Sequence, residues 1–188
     1  MTAAASIDFL RSRGVPLDPG LTPAELEAIE DRFGFGFSPD HRDFLSLAAP
    51  RGGRWIDWRG DDAALEHALS WPREGALFDV RESGFWPASW GDAPSELDER
   101  VDVARERIRH WPTLVPVYGH RYLPASPAGP GAPVFSVWQT DVIFYGRDLL
   151  DYVRREFGDH TDRRSLEGTD PYDVPPWSLF AYGRDDEV

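Results

Sequence analysis

The residues of this chain that are best suited to chemistry lie in one short segment, Tyr118 to Tyr122. His120 can donate or accept a proton, and the neighbouring Arg121 presents a planar fork of N–H donors. A general acid or base also needs a partner within hydrogen-bond reach, and carboxylates distant in the sequence are the candidates: Asp57, Asp79 and Asp141. The segment has no evident nucleophile or metal site. Its residue types therefore predict contact with a ligand or partner and not catalysis.

Composition excludes several kinds of active site. The chain has no cysteine, and its 20 Lys and Arg positions are all arginine. Thiolate nucleophiles, disulfides, cysteine zinc sites and lysine Schiff bases are therefore ruled out. The five histidines are spread singly, without the close pairs that zinc sites favour. The sequence predicts a protein that is not an enzyme, with no catalytic residue, metal or cofactor.

Large aromatic residues beside proline and glycine form a second group of candidates. Phe85, Trp86 and Trp90 lie in such a segment, where they either cover the core or line a groove. We expect this loop and the segment Tyr118 to Tyr122 to line one groove. The residues expected to contact a partner or ligand are Trp58, Arg59, Phe85, Trp86, Trp90, Tyr118, His120, Arg121, Tyr122 and Asp141.

Two short helices with their own start signals open the fold. Thr22 and Glu25 have the spacing of a capping box, with Pro23 at the first helical position, which predicts a helix over about 23 to 33. Ser38 and Pro39 repeat the cap-then-proline arrangement, and a second helix is predicted near 39 to 48.

The remaining patterns alternate between helix and strand. Helices are predicted after Asp61 or Asp62, from Ser95 and after Asp148, and strands at 76–80, 114–118, 134–138 and 142–145. The last two strands flank a short turn and predict an antiparallel hairpin. We therefore expect one α+β domain over residues 1–157, with a mainly antiparallel sheet flanked by helices. Residues 158–188 are expected to form a loosely packed C-terminal extension.

The helical hairpin also carries a family resemblance. It resembles the first segment of proteins in the SUKH superfamily, which includes a fungal cell-wall assembly regulator and many bacterial toxin-immunity proteins. The residues that carry the resemblance are Thr22, Glu25, Leu26, Ile29, Glu30, Phe33, Gly34, Phe35, Phe37, Pro39, Asp40, Arg42, Phe44 and Leu45. Further similar segments extend the resemblance over roughly residues 20 to 157: 58–61, 77–79, 84–86, 90–91, 114–122 and 139–146. The resemblance implies a single α+β domain that binds other proteins. The family has no shared set of catalytic residues that could be assigned to positions of this sequence.

Charge narrows the class of partner. The net charge of −13 repels nucleic acid and gives no basic surface for anionic lipid.

No segment has the length and apolarity of a membrane span, and the N-terminus lacks the features of a signal peptide, so we expect a cytoplasmic protein.

Three functions remain open. The first is an immunity or regulatory protein that binds a protein partner, such as a basic nuclease toxin. The second is a small-ligand protein or enzyme with a pocket around His120, Arg121 and Tyr122. The third is a stand-alone regulator without a toxin partner. The oligomeric state is left open by the sequence.

Overall fold

The fold consists of helices around a central sheet. The computed structural model describes residues 2–158, 173–184 and 188. The helices are α1 (Thr2–Ser12), α2 (Pro23–Phe33), α3 (Pro39–Leu47), α4 (Asp62–Glu82), α5 (Leu97–Ile108), α6 (Leu149–Phe157) and α7 (Trp177–Ala181). The strands are β1 (Leu17–Pro19), β2 (Ala48–Pro50), β3 (Leu114–Tyr118), β4 (Arg121–Pro124), β5 (Val134–Trp138) and β6 (Asp141–Gly146). A 3-10 turn spans Ala88–Trp90.

The central sheet is antiparallel, with strand order β3-β4-β5-β6, and β1 and β2 form a separate antiparallel pair. Both faces of the central sheet are covered. Val115 and Leu123 pack with α1, α2, α3 and α6 in a first core, whereas Leu114 and Tyr122 pack with α4, α5 and α7 in a second. This alternation follows from the two-residue period of a strand. The expected single α+β domain with an antiparallel sheet flanked by helices is confirmed.

The capping box at the start of α2 is present as the sequence predicts. The Thr22 hydroxyl accepts from the Glu25 N–H at 3.2 Å, and the Thr22 N–H donates to the Glu25 carboxylate at 2.8 Å. Ser38 precedes α3 but makes no side-chain cap, and its Oγ is buried without a hydrogen-bond partner among the described residues. The predicted pair of helices, α2 and α3, is therefore confirmed, but only α2 has a side-chain cap.

The strand predicted at Ala76 to Val80 is wrong, because these residues belong to the long helix α4. Leu77 and Val80 lie three residues apart and both enter the second core, so the apolar run has helical spacing. Short apolar runs of this kind do not distinguish a buried strand from a buried helix. Pro72 lies inside the helix without ending it.

The two ends of the described chain pack into the cores. The sequence did not predict α1, whose Ile7 and Leu10 are buried in the first core. Trp177 of α7 is fully buried and donates from Nε1 to the Pro112 carbonyl at 2.8 Å. The expectation of loose packing is therefore wrong around α7, while residues 159–172 and 185–187 of the expected extension lie outside the described residues. Within residues 2–158 and 173–184, every helix is too short or too polar to span a bilayer.

Candidate functional site

Two of the expected contact residues, Trp58 and Arg59, are part of the scaffold. Trp58 is buried in the first core, with its ring edge-to-face against Phe37 at 5.0 Å. The Arg59 guanidinium lies 2.7 Å from the Glu25 carboxylate and also donates to the carbonyls of Pro19 and Gly20. Arg59 therefore ties the start of α2 to the chain that leads into it, with its side chain still 40% exposed, whereas Trp58 is buried.

The aromatic loop covers the second core. Phe85 contacts Phe180 at 5.7 Å between ring centroids, and Trp90 contacts Trp111 at 6.2 Å. Trp86 donates from Nε1 to the carbonyl of Gly91 at 2.8 Å. Of the two alternatives for these rings, the structure supports the core position.

Tyr118 and Arg121 are likewise held by internal contacts. The Tyr118 ring packs against Trp55 at 5.1 Å. Arg121, whose side chain is only 12% exposed, donates from Nε to Glu156 at 3.1 Å and from a terminal nitrogen to Ser136 at 2.7 Å. Its guanidinium carbon also lies 3.8 Å from the centre of the Tyr145 ring. Arg121 is a structural tie between the sheet and α6.

His120 and Tyr122 line an open cleft of about 240 Å³ between α4 and the ends of β4 and β5. The cleft is lined by His67, Ala68, Trp71, Gly119, His120, Tyr122 and Trp138. Trp138 meets Trp71 edge-to-face at 5.6 Å and His120 at 6.0 Å. The expectation of one groove shared with the aromatic loop is therefore wrong, since Phe85, Trp86 and Trp90 do not line this cleft.

Burial and neighbouring charges set the protonation of the two titratable residues His120 and Tyr122 in the cleft. Burial lowers the pKa of His120, and the nearby charges of Arg121 and Arg54 lower it further. The ring is therefore neutral at neutral pH. Among the described residues no carboxylate is hydrogen-bonded to His120, so the arrangement of an oriented acid–base pair is not present there. Burial also raises the pKa of Tyr122, whose hydroxyl donates to the Ala68 carbonyl at 3.1 Å.

Of the two tryptophans that line the cleft, Trp138 is the exposed one, with 54% of its surface accessible to solvent. It ends β5, directly before a turn in which Gln139 has a φ of 59°. The backbone N–H and hydroxyl of Thr140 both donate to the buried Asp79 carboxylate, at 3.0 and 2.7 Å. A large aromatic residue thus lies directly before a turn that is fixed to α4.

Glycine at position 75 allows the turn to approach α4 this closely. A Cβ on Gly75 would lie 2.9 Å from the Gln139 Cα, which is closer than such atoms pack. Asp79, one helical turn further on, also accepts from the Ser83 hydroxyl at 3.1 Å. The carboxylate of Asp79, considered in the sequence as a partner for His120, is therefore used to hold the turn.

Sequence reasoning did not identify Trp138 or His67 as site residues, whereas it did consider Trp71 as an aromatic residue that either covers the core or lines a groove. A feature of the sequence that points to Trp138 is its position directly before the turn of the predicted β-hairpin, where the end of a strand is exposed. Asp141, which the sequence did propose, lies directly across the hairpin from Trp138 and is exposed. In the part of the chain that the structure describes, no group of three or more acidic, histidine or cysteine side chains could hold a metal ion.

Comparison of the chain with protein-family models, with curated proteins and with solved structures finds no match.

Proposed function

We propose that this chain is a protein-binding module, of the immunity or regulatory kind, that binds a basic protein partner. The observation that carries the proposal is the exposed Trp138 at the end of β5, directly before a turn that Asp79 fixes. Tryptophan is enriched among residues that dominate binding energies, and a rigid anchor loses little conformational entropy on association. The internal contacts of Arg59 and Arg121 leave the region around Trp138 as the better supported contact surface.

The charge of the chain supports the class of partner. A net charge of −13 steers positively charged surfaces toward the protein and repels nucleic acid. A basic toxin domain, such as a nuclease, is the kind of partner that fits both the charge and the resemblance to the SUKH superfamily. A stand-alone regulator with a basic partner that is not a toxin fits the same charge, and we expect either to act in the cytoplasm.

A second candidate function is the binding of a small ligand in the cleft. The specific observation in its favour is that His120, Tyr122 and Trp71 converge on one concave space of about 240 Å³. A neutral imidazole and aromatic rings suit a flat, uncharged ligand. Binding there would not require turnover.

The test is affinity capture from the native host with the full chain as bait, followed by mass spectrometry. Wild type is compared with Trp138→Ala and with Leu97→Ala, which removes an apolar side chain that is 49% exposed on α5. The proposal expects a basic protein that is retained by wild type and Leu97→Ala and lost with Trp138→Ala. Equal recovery with all three baits, or no retained protein, would contradict it.

A further inference from the structure

One face of the β5–β6 hairpin is exposed beside the cleft. Trp138 lies directly opposite Asp141, and Ser136 lies opposite Ile143. Residues that are paired across antiparallel strands, or displaced by two along a strand, extend from the same face of the sheet. The Cβ atoms of Trp138, Asp141 and Ile143 therefore extend from one face, and Ile143 is 49% exposed. The Trp138 ring, at the end of β5, also contacts Trp71 and His120 of the cleft. We call Trp138, Asp141 and Ile143 the hairpin face.

An internal arginine on the same face shows how the sheet accommodates a guanidinium group. Arg121 is paired with Ser136, lies 3.8 Å from the Tyr145 ring centre and donates to Glu156. An aromatic ring and a carboxylate thus enclose this arginine. The hairpin face offers the same two groups in Trp138 and Asp141, and among the described residues no cation is paired with Asp141.

We propose that the hairpin face binds an arginine side chain of the partner protein. The guanidinium stacks on the Trp138 ring and donates to the Asp141 carboxylate, while the aliphatic stem packs along Ile143. Arginine fits better than lysine because its planar group both stacks on an aromatic ring and donates in a fork to a carboxylate. This inference rests on the protein-binding function proposed above and names the partner group that it recognises.

Local charge favours a cation beside Asp141. On the hairpin face the charge of Arg121 is already met by Glu156, so the Asp141 carboxylate attracts an incoming cation without a competing partner.

The test is a titration of the isotope-labelled full chain at low salt, followed by NMR. The probes are two blocked peptides, acetyl-Gly-Gly-Arg-Gly-Gly-amide and its citrulline analogue, which has nearly the same shape without the charge. We expect saturable shifts of the Trp138 indole and the Ile143 methyl groups, with the citrulline peptide binding about threefold or more weakly. Asp141→Asn should weaken arginine binding about threefold, whereas Glu99→Gln, an equal charge change on α5, should not.

Equal binding of the two peptides, absence of shifts, or shifts confined to the cleft or another surface would overturn the inference. Its failure is distinguishable from failure of the proposed function. Capture that depends on Trp138, together with a titration showing no preference for arginine, contradicts only the arginine site. Arginine binding at the hairpin face, together with capture that ignores Trp138, contradicts the proposed function and leaves an arginine site that the captured partner does not use.

Discussion

The Tyr122 hydroxyl donates at 3.1 Å to the Ala68 carbonyl, the group that Pro72 leaves without its helical donor. Residue 72 would normally donate its N–H to the carbonyl four residues earlier, and proline has no N–H to give. A strand tyrosine thus replaces the missing helical bond. This explains how α4 continues through Pro72 and why the cleft has a fixed wall.

Tyr122→Phe should destabilise the fold by about 1 to 2 kcal/mol, because the partly buried Ala68 carbonyl would be left without a protein donor. The measurement is the urea midpoint at constant m-value. Tyr182→Phe, which removes the hydroxyl of a residue that is 41% exposed, is the matched control and should shift the midpoint little. Equal shifts for the two variants would show that the Tyr122 bond does not support α4.

Gly75→Ala should destabilise the protein although alanine is the better helix former. The helix preference gains about 1 kcal/mol, while a Cβ placed 2.9 Å from the Gln139 Cα forces the turn away from α4 at a cost of about 1 to 3 kcal/mol. We expect a net loss of stability, accompanied by a shift of the Trp138 indole N–H signal in the NMR spectrum. A more stable variant with an unchanged Trp138 signal would contradict the close fit of the turn.

The buried His41 should make the fold sensitive to mild acid. Burial lowers its pKa from 6.5 to about 3, and its Nδ1 has no hydrogen-bond partner among the described residues. Because the unfolded chain binds this proton first, stability is complete above pH 6.5 and falls as the pH drops toward 3. The slope from this group is about 1.4 kcal/mol per pH unit.

Equilibrium unfolding as a function of pH tests this expectation. His41→Gln should show a smaller loss than wild type between pH 6.5 and about 5, and what remains includes the contribution of His120, whose pKa is also lowered by burial. Glu25→Gln is the control, because the Arg59 side chain and the Thr22 cap lower the Glu25 pKa from 4.5 to about 2, so its contribution is lost only below pH 4.5. A wild-type profile that is flat between pH 6.5 and 5 would contradict the assignment to His41.

Arg121→Ala should destabilise the fold by about 2 kcal/mol or more, since it leaves the partly buried Glu156 without its partner and removes the contact with Tyr145. Arg105→Ala breaks an exposed pair with Asp102 and should cost less than about 1 kcal/mol. Thermal or urea unfolding of both variants provides the comparison. Similar small losses would show that Arg121 is not a structural tie.

Local signals in the sequence predicted much of the fold. The capping box of Thr22 and Glu25, the Asp148 cap and the β5–β6 hairpin each depend on residues close together in the chain, and each is present. The continuation of α4 through Pro72 was not predictable in this way. It depends on Tyr122, a residue 50 positions away that replaces the missing donor.

The candidate site was predictable only in part, because its geometry depends on distant contacts. The sequence identified His120, Tyr122 and Asp141 as candidates by residue type. It could not show that Arg121 donates to Glu156, since these two residues lie 35 positions apart, one on a strand and the other on a helix. Nor could it show that Asp79 fixes the turn after Trp138, which joins residues 61 positions apart.

The most direct test of the proposed function is the affinity of the captured partner for wild type and Trp138→Ala, measured by titration calorimetry with Leu97→Ala as control. We predict a loss of about 2 kcal/mol or more for Trp138→Ala, as for a hot-spot tryptophan, with an unfolding midpoint close to that of wild type. Leu97→Ala should bind as wild type does. Unchanged affinity of Trp138→Ala would contradict the proposal that this protein binds its partner through Trp138.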